Sequence, residues 1–323
     1  MYRAFLYEKY IGIEIGGTKQ QICSGLEDGT LLSGKEVKLE CTTAEQILSW
    51  LEASGREFLA GNEYAGVGIG FGGPIESKTG RILSSLQVSG WKDFDLTRWA
   101  EDTFQLPAVV ANDTYAGGIA ELKCGAGRGS EHLLYTNIGT GIGGGFYIHG
   151  EGMDGSGYGA AYLGNTIVPD WRRKESAAWT RMELLCSGKS ISERLSSPGY
   201  VPETSVLKQW QSEQKITLTA AELGKAVRLG DGFAELELDR IASAFSIALV
   251  NALALLGPDR VVIGGGVAKM GDILFDRIRR MTDERAFIAN RGRYEIRTSI
   301  LLDQAVPVGA LLMAAHGDAF LAR

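Results

Sequence analysis

The residues able to do chemistry gather at a few glycine turns. Gly16-Gly17-Thr18-Lys19 follows the strand-like run Tyr10–Ile15, and Gly139-Thr140-Gly141-Ile142-Gly143-Gly144-Gly145 follows Leu133–Ile138; each leads into another strand. Backbone N–H groups in such turns form anion-binding concavities, and no side chain stands in the way of a phosphate. Thr18 and Thr140 add hydroxyl donors, and Lys19 adds a charge. A third turn, Gly264-Gly265-Gly266, follows Arg260–Ile263 and precedes a helix. Asn112-Asp113 closes the apolar run Pro107–Ala111 and opens a helix. An Asp beside a phosphate site can orient a hydroxyl and deprotonate it for attack on a γ-phosphoryl group. Each feature alone has a plainer use: a glycine turn makes a tight hairpin, and Asn or Asp is a favoured N-cap. For any one loop the tight hairpin is the better reading; three such loops at these spacings are harder to dismiss as hairpins alone.

Other patterns fail on context. Gly139-x-Gly141-x-x-Gly144 and Gly68-x-Gly70-x-x-Gly73 both fit GxGxxG, but a dinucleotide fingerprint must open a helix. A strand-like run follows the first, and Pro74 with a polar turn follows the second. Ser187-Gly188-Lys189-Ser190 ends like a P-loop, yet Glu183 stands where the upstream glycine is required.

The elements that must hold these turns read in order. Strands are expected at Tyr10–Ile15, Gln20–Ser24 and Leu31–Leu39. A helix follows from a Thr42-Thr43-Ala44-Glu45 capping box to Leu59, then a buried strand at Ala65–Phe71. The pattern restarts at Pro107–Ala111, with a helix to Cys124 and strands at Leu133–Ile138 and Phe146–His149. The recurrence of strand, glycine turn and strand is a domain-scale duplication rather than a solenoid repeat. Residues 170–235 read as mostly helical, with a second capping box at Thr219–Glu222. A long apolar helix at Leu238–Leu256 stops at Gly257-Pro258. A strand at Ile296–Leu301 and a helix at Val308–Leu321 end the chain.

Composition bounds the function. The 323 residues carry a net charge of −6, so no broad basic footprint for nucleic acid is expected. Apolar residues at 45% and charged residues at 22% indicate a globular chain. Four dispersed cysteines, Cys23, Cys41, Cys124 and Cys186, and three histidines form no recognisable zinc cluster; reduced thiols are expected. No apolar run reaching the ~20 residues of a membrane span is expected, and MYRAFLYEKY is too charged for a signal peptide. The expectation is a cytoplasmic protein without membrane or nucleic-acid partners.

Five segments in order resemble the ROK family of sugar kinases and sugar-responsive repressors. They are Gly12-Ile-Glu-Ile-Gly-Gly-Thr-Lys19, Gly70-Phe-Gly-Gly-Pro74, Asn112-Asp113, Gly139–Gly145 and Val262-Ile-Gly-Gly-Gly-Val267. The resemblance runs from about residue 10 to 320 and implies an α/β chain with the actin-like ATPase (ribonuclease H-like) fold. Two α/β domains, residues 1–111 with 303–323 and residues 112–302, would flank a nucleotide cleft. It implies that Gly16, Gly17, Thr18 and Lys19 face the β- and γ-phosphates, that Gly139, Thr140 and Gly141 hold them from the second domain, and that Gly264, Gly265 and Gly266 line the adenosine side. Asp113 would be the catalytic base, with Asn112 and Gly73 on the substrate side. Glu14 would stand near the metal-bound phosphates, where the family usually has Asp. ATP with Mg²⁺ and a sugar substrate are implied, and a homodimer.

The departures concern the sugar. The family's Ala-Gly-Glu-x-Gly-His segment matches Ala160-Ala161-Tyr162-Leu163-Gly164-Asn165, so Tyr162 replaces the Glu and Asn165 the His. The three zinc cysteines would fall at Lys174, Ser176 and Arg181, so no zinc is expected. The following sugar-contacting Glu is retained as Glu183. A carboxylate accepts two strong hydrogen bonds from vicinal hydroxyls and Tyr cannot, so recognition at that end of the sugar is rewritten. An ATP-dependent hexose kinase is the favoured reading, with a non-catalytic sugar sensor as the alternative. Only 11 residues precede Gly12, so a repressor's DNA-binding winged helix ahead of the first glycine motif is not expected. The Asn112-Asp113 pair argues against a chaperone-like or cytoskeletal ATPase.

Overall fold

The computed structural model describes residues 7–38, 43–84, 88–173 and 178–317. Packing divides the chain into two units, residues 1–131 with 145–160 and 303–323, and residues 132–144 with 161–302. The sequence division after residue 111 thus falls inside the first unit. The helix after Asn112 and the 145–160 segment belong there by packing: the Tyr147 hydroxyl donates to Tyr115 O at 2.5 Å.

The first unit is built on β1 (Lys9–Ile15), β2 (Lys19–Leu26), β3 (Leu31–Lys38), α1 (Ala44–Leu59), β4 (Gly66–Phe71), α2 (Leu96–Phe104), β5 (Ala108–Asn112) and α3 (Asp113–Cys124). The sheet order is β3-β2-β1-β4-β5, antiparallel from β3 to β1 and parallel from β1 to β5. Central β1 and β4 are buried on both faces, which explains the continuous runs YIGIEI and GVGIGF. One face carries Ile11, Ile13, Ile22, Val67 and Ile69 against Ile47 and Leu51 of α1 and Leu96 and Ala100 of α2. Burying each large aliphatic side chain contributes roughly 1.5–3 kcal/mol.

The other face is shaved by glycine. A Cβ on Gly68 would lie 1.8 Å from Ala310 O, and one on Gly70 2.5 Å from Val306 Cγ1. The helix Ala305–His316 therefore lies flat on β4, and its own Gly309 lets α3 in, with Ala116 O 1.9 Å from the Cβ position. Gly68 and Gly70 of the false fingerprint are there for helix packing, whereas a Cβ on Gly73 would meet Phe71 and Ser84 O instead.

Element ends follow their local sequence signals to within a residue or so, with exceptions. The α1 cap is Thr43, with Gln46 at N3 closing the box; Ala44 is the first helical residue, so the frame moves by one, and Thr42 and Cys41 lie outside the described residues. Leu39 and residues 318–321 also lie outside them. The last described helix starts at Ala305, ahead of the expected Val308, because Pro307 sits in the first turn where its missing N–H costs nothing. The three-stranded sheet of Ile75–Glu76, Arg81–Ser84 and Lys92–Asp95, and α2 with its Asp95 cap, went unforeseen.

The second unit centres on three parallel strands, β6 (His132–Asn137), β7 (Arg260–Gly264) and β8 (Glu295–Thr298), with β7 in the middle. Residues 170–235 are less helical than expected: Ile167–Pro169 and Trp179–Arg181 pair as a hairpin. The apolar helix Gly232–Leu256 starts earlier than expected, capped by Asp231. By length and composition it could cross a membrane, contrary to the sequence expectation, but 56% of its most apolar stretch is buried inside the protein. It is the core helix of its unit, holding Leu238, Ile241, Phe245 and Leu249 away from solvent.

Candidate active site

In the first unit, the sheet brings predicted site residues together at the carboxyl ends of β1, β4 and β5. Gly16 N–H donates to Lys19 O at 3.0 Å, closing the turn between β1 and β2. Gly72 N–H donates to Ile15 O at 2.8 Å, which ties the end of β4 to that turn. A Cβ on Gly72 would lie 3.3 Å from Asp113 Oδ2 and 3.5 Å from Gly16 Cα. The Asp113 carboxylate thus stands beside the first glycine turn. Thr18 is exposed at its tip, and Gly17 is half-buried.

Asp113 is the first residue of α3 and is half-buried. Its Oδ1 accepts from Thr114 N–H at 2.7 Å and from the Thr114 hydroxyl at 3.2 Å. Burial pushes its carboxyl up to about 6, against the pull of those two donors and of its own backbone N–H. Asn112 is the N-cap: its Oδ1 accepts from Thr114 and Tyr115 N–H, and its Nδ2 donates to Gly73 O at 3.0 Å. The Asn112 side chain therefore fastens the start of α3 to the end of β4, an architectural use beside the substrate contact expected of it.

Glu14 points from β1 into the same corner and is 8% exposed. Burial pushes its carboxyl up to about 7, opposed by Lys19 and Gln21 and reinforced by the Asp113 charge. Gln21 Nε2 donates to Glu14 Oε2, and Lys19 Nζ lies 3.6 Å from that oxygen and 3.8 Å from Glu36. The Lys19 ammonium is thus held among carboxylates rather than aimed outward alone. A buried carboxylate that ionises reluctantly in isolation, with a second one nearby, is a donor set suited to a hard cation such as Mg²⁺.

In the second unit, the 139–145 turn is stitched down by side chains. Gly143 N–H donates to Asn137 Oδ1 at 2.9 Å, and the Thr136 hydroxyl to Gly143 O at 2.7 Å. Ile142 N–H donates to Glu183 Oε2 at 2.8 Å. Gly188 N–H, at the start of a helix capped by Ser187, donates to Gly139 O at 2.7 Å. The rejected Ser187-Gly188 motif thus supports the glycine turn from behind, a role its sequence does not announce. Glu183, expected at the sugar, spends one oxygen on the turn.

The third turn packs on the second. Ile138 N–H donates to Gly264 O, and Val267 N–H to Ile138 O, both at 2.9 Å. Gly265 has φ +87° and its Cβ position lies 2.6 Å from Ile138 O, so only glycine fits. By contrast, a Cβ on Gly266 would meet nothing within 4 Å, and one on Gly139 only two atoms at 3.8 Å. Neither has a positive φ. The fold does not require glycine at these two positions. Thr140 and Gly141 are half-buried between them in sequence and complete the turn.

Tyr162 precedes, and Asn165 ends, the short turn Leu163–Asn165, whose backbone lies against the 139–145 turn: a Cβ on Gly164 would lie 2.2 Å from Ile142 O. Tyr162 is half-buried; Asn165 is exposed, and its Oδ1 accepts from Arg181 Nη1 at 3.4 Å. Of the positions matched to zinc cysteines, Lys174 and Ser176 lie outside the described residues. No cluster of three or more metal-ligating His, Cys, Asp or Glu occurs among the described residues.

The chain matches the ROK family over residues 10–316. It is 30% identical over 309 residues to the glucokinase of Thermotoga maritima, covering 94% of this chain and 96% of that one. It is 24% identical to the xylose repressor of Caldicellulosiruptor bescii, covering 95% of this chain and 72% of that protein. Among solved structures, the ROK family glucokinase of Streptomyces griseus in complex with glucose and AMPPNP superposes with a TM-score of 0.79 at 25% identity, over 96% of this chain and all of that one. The fold is therefore the actin-like ATPase fold of these kinases, and the chain belongs to the ROK family.

Proposed function

We propose that this chain is an ATP-dependent, glucokinase-like sugar kinase that transfers the γ-phosphoryl group of ATP to a hydroxyl of a hexose or hexose derivative. The observation that carries the proposal is the position of Asp113: a carboxylate raised to about 6, beside the Gly16 turn, with no hydrogen bond to its Oδ2 among the described residues. A base tuned toward neutral pH is what attack by an alcohol needs. Relatives named glucokinase at 28–30% identity over nearly the whole chain support the same reading.

In this reading Asp113 Oδ2 takes the proton of the sugar hydroxyl. The hydroxyl oxygen forms its bond to the γ-phosphorus, the bond from that phosphorus to the bridging oxygen breaks, and ADP leaves with the electron pair. Gly17 and Thr18 of the first unit, and Thr140 and Gly141 of the second, offer backbone N–H groups and hydroxyls to phosphate oxygens; Gly16 and Gly139, whose own N–H groups close the turns on Lys19 O and Gly141 O, leave room for the phosphates to approach. Gly264, Gly265 and Gly266 bind toward adenosine. Glu14 would stand beside the site of Mg²⁺ and help hold the ion, which when bound would supply neutralisation of phosphate charge. Lys19 keeps Glu14 in place. Asn112, Gly73, Tyr162, Asn165 and Glu183 form the substrate side. A cytoplasmic location and a homodimer belong to the same proposal.

The second reading is a sugar sensor without turnover, favoured by the full engagement of the Asn112 side chain and by Tyr162 and Asn165. A coupled assay of ADP release with ATP and Mg²⁺ across hexoses, amino-hexoses and deoxy-sugars separates the two. Turnover of at least one sugar supports the kinase. Sugar binding by thermal shift with no turnover on any supports the sensor.

A further inference from the structure

The residue after the base presents a feature that the role of Asp113 does not by itself require. Thr114 is 2% exposed, and both of its hydrogen-bond donors reach one oxygen, Asp113 Oδ1, the N–H at 2.7 Å and the hydroxyl at 3.2 Å. The N–H is shared, since Asn112 Oδ1 also accepts it at 3.0 Å. The hydroxyl is therefore the second anchor on the carboxylate. Asp113 Oδ2 receives no hydrogen bond from any described residue and faces Gly72, whose lack of a side chain leaves that side open.

A carboxylate rotates about its last bond through a broad, roughly two-fold well. One shared N–H donor does not choose between the two oxygens, whereas two donors on the same oxygen do. We propose that Thr114 is a positioning residue that locks Asp113 Oδ1 in place and so presents Oδ2 as the proton-accepting atom. The inference rests on Asp113 being the base. It assigns the hydroxyl of Thr114 a part in phosphoryl transfer through orientation, without contact to substrate. A group that acts this way alters the frequency of productive encounters in the bound complex and leaves ground-state binding alone.

The test compares Thr114→Val, which keeps the shape and loses the hydroxyl, with Thr114→Ser, which keeps the hydroxyl and loses the methyl. Thr114→Ala is the further hydroxyl-free variant if Val fails to fold, and Asp113→Asn is measured in parallel. The expected result is a drop in kcat of roughly tenfold for Val, KM values for ATP and sugar within twofold of wild type, and recovery to at least half of wild-type kcat in Ser; the factor of ten follows from losing a hydrogen bond to a charged group. Wild-type kcat in the folded hydroxyl-free variant, or equal impairment in Ser and Val, overturns the inference; the latter assigns Thr114 to packing. If Asp113→Asn is inactive while Thr114→Val turns over normally, only the positioning role is lost. If Asp113→Asn is fully active, the base assignment itself fails.

Discussion

Gly72 and Asp113 stand so close that a methyl group on Gly72 would lie 3.3 Å from Asp113 Oδ2, and as close to Ile15 O. The backbone oxygen cannot yield, so the carboxylate would have to. Gly72→Ala is expected to lower kcat about tenfold through sub-ångström displacement of the base, with KM for ATP little changed. Steady-state kinetics on purified variant and wild type, with melting curves to confirm folding, checks this.

The elevated Asp113 carboxyl fixes the pH dependence. Activity requires the ionised form, so kcat/KM should fall as pH drops through about 6, where an ordinary Asp would stay active to about pH 4. Because burial disfavours the charge in the folded state, Asp113 costs stability above pH 6. That cost fades as pH falls through 6 toward the unfolded value near 3.9. Asp113→Asn should therefore melt above wild type at pH 8, with the gap about halved at pH 5 and vanishing only below about pH 4. Calorimetric melts at the two pH values read it directly.

Glu183 accepts the Ile142 N–H in the second glycine turn. Removing it with Glu183→Ala leaves that amide unpaired in the turn proposed to bind phosphates. A loss of ~1.5–3 kcal/mol for a hydrogen bond to a charged group predicts KM for ATP at least tenfold higher. An effect confined to KM for sugar would return Glu183 to a purely sugar-contacting role.

Glycines kept for the fold and glycines kept for a ligand separate experimentally. Gly265→Ala forces a side chain against Ile138 O at positive φ and should destabilise by several kcal/mol. A methyl meets nothing at Gly266 and only ordinary contacts at 3.8 Å at Gly139, so the melting temperatures of Gly266→Ala and Gly139→Ala should match wild type. Their KM for ATP should nevertheless rise severalfold. Unchanged KM would remove these positions from the nucleotide site.

The strands and turns that carry the chemistry were legible because they are local. Continuous apolar runs, glycine pairs and an Asn-Asp helix start declare themselves within a few residues. What a sequence could not display were relations across the chain: Glu183 reaching Ile142, Gly188 backing Gly139, or Asn112 binding Gly73. Gly188, Gly139 and Gly73 look like loop residues until the fold brings their partners in. The Gly68 run read as a possible fingerprint, and only the packed helix Ala305–His316 reveals its alternating glycines as a docking face. The hairpin at 167–181 was missed because three-residue strands are too short to display a period of two.

Phosphoryl transfer initiated by Asp113 is tested most directly by measuring kcat of Asp113→Asn on the best hexose alongside its ATP affinity by isothermal titration. The account predicts a kcat reduced by roughly 10²–10⁴-fold, the contribution of a positioned general base, with ATP affinity within about threefold of wild type. Turnover by Asp113→Asn at the wild-type rate would contradict it.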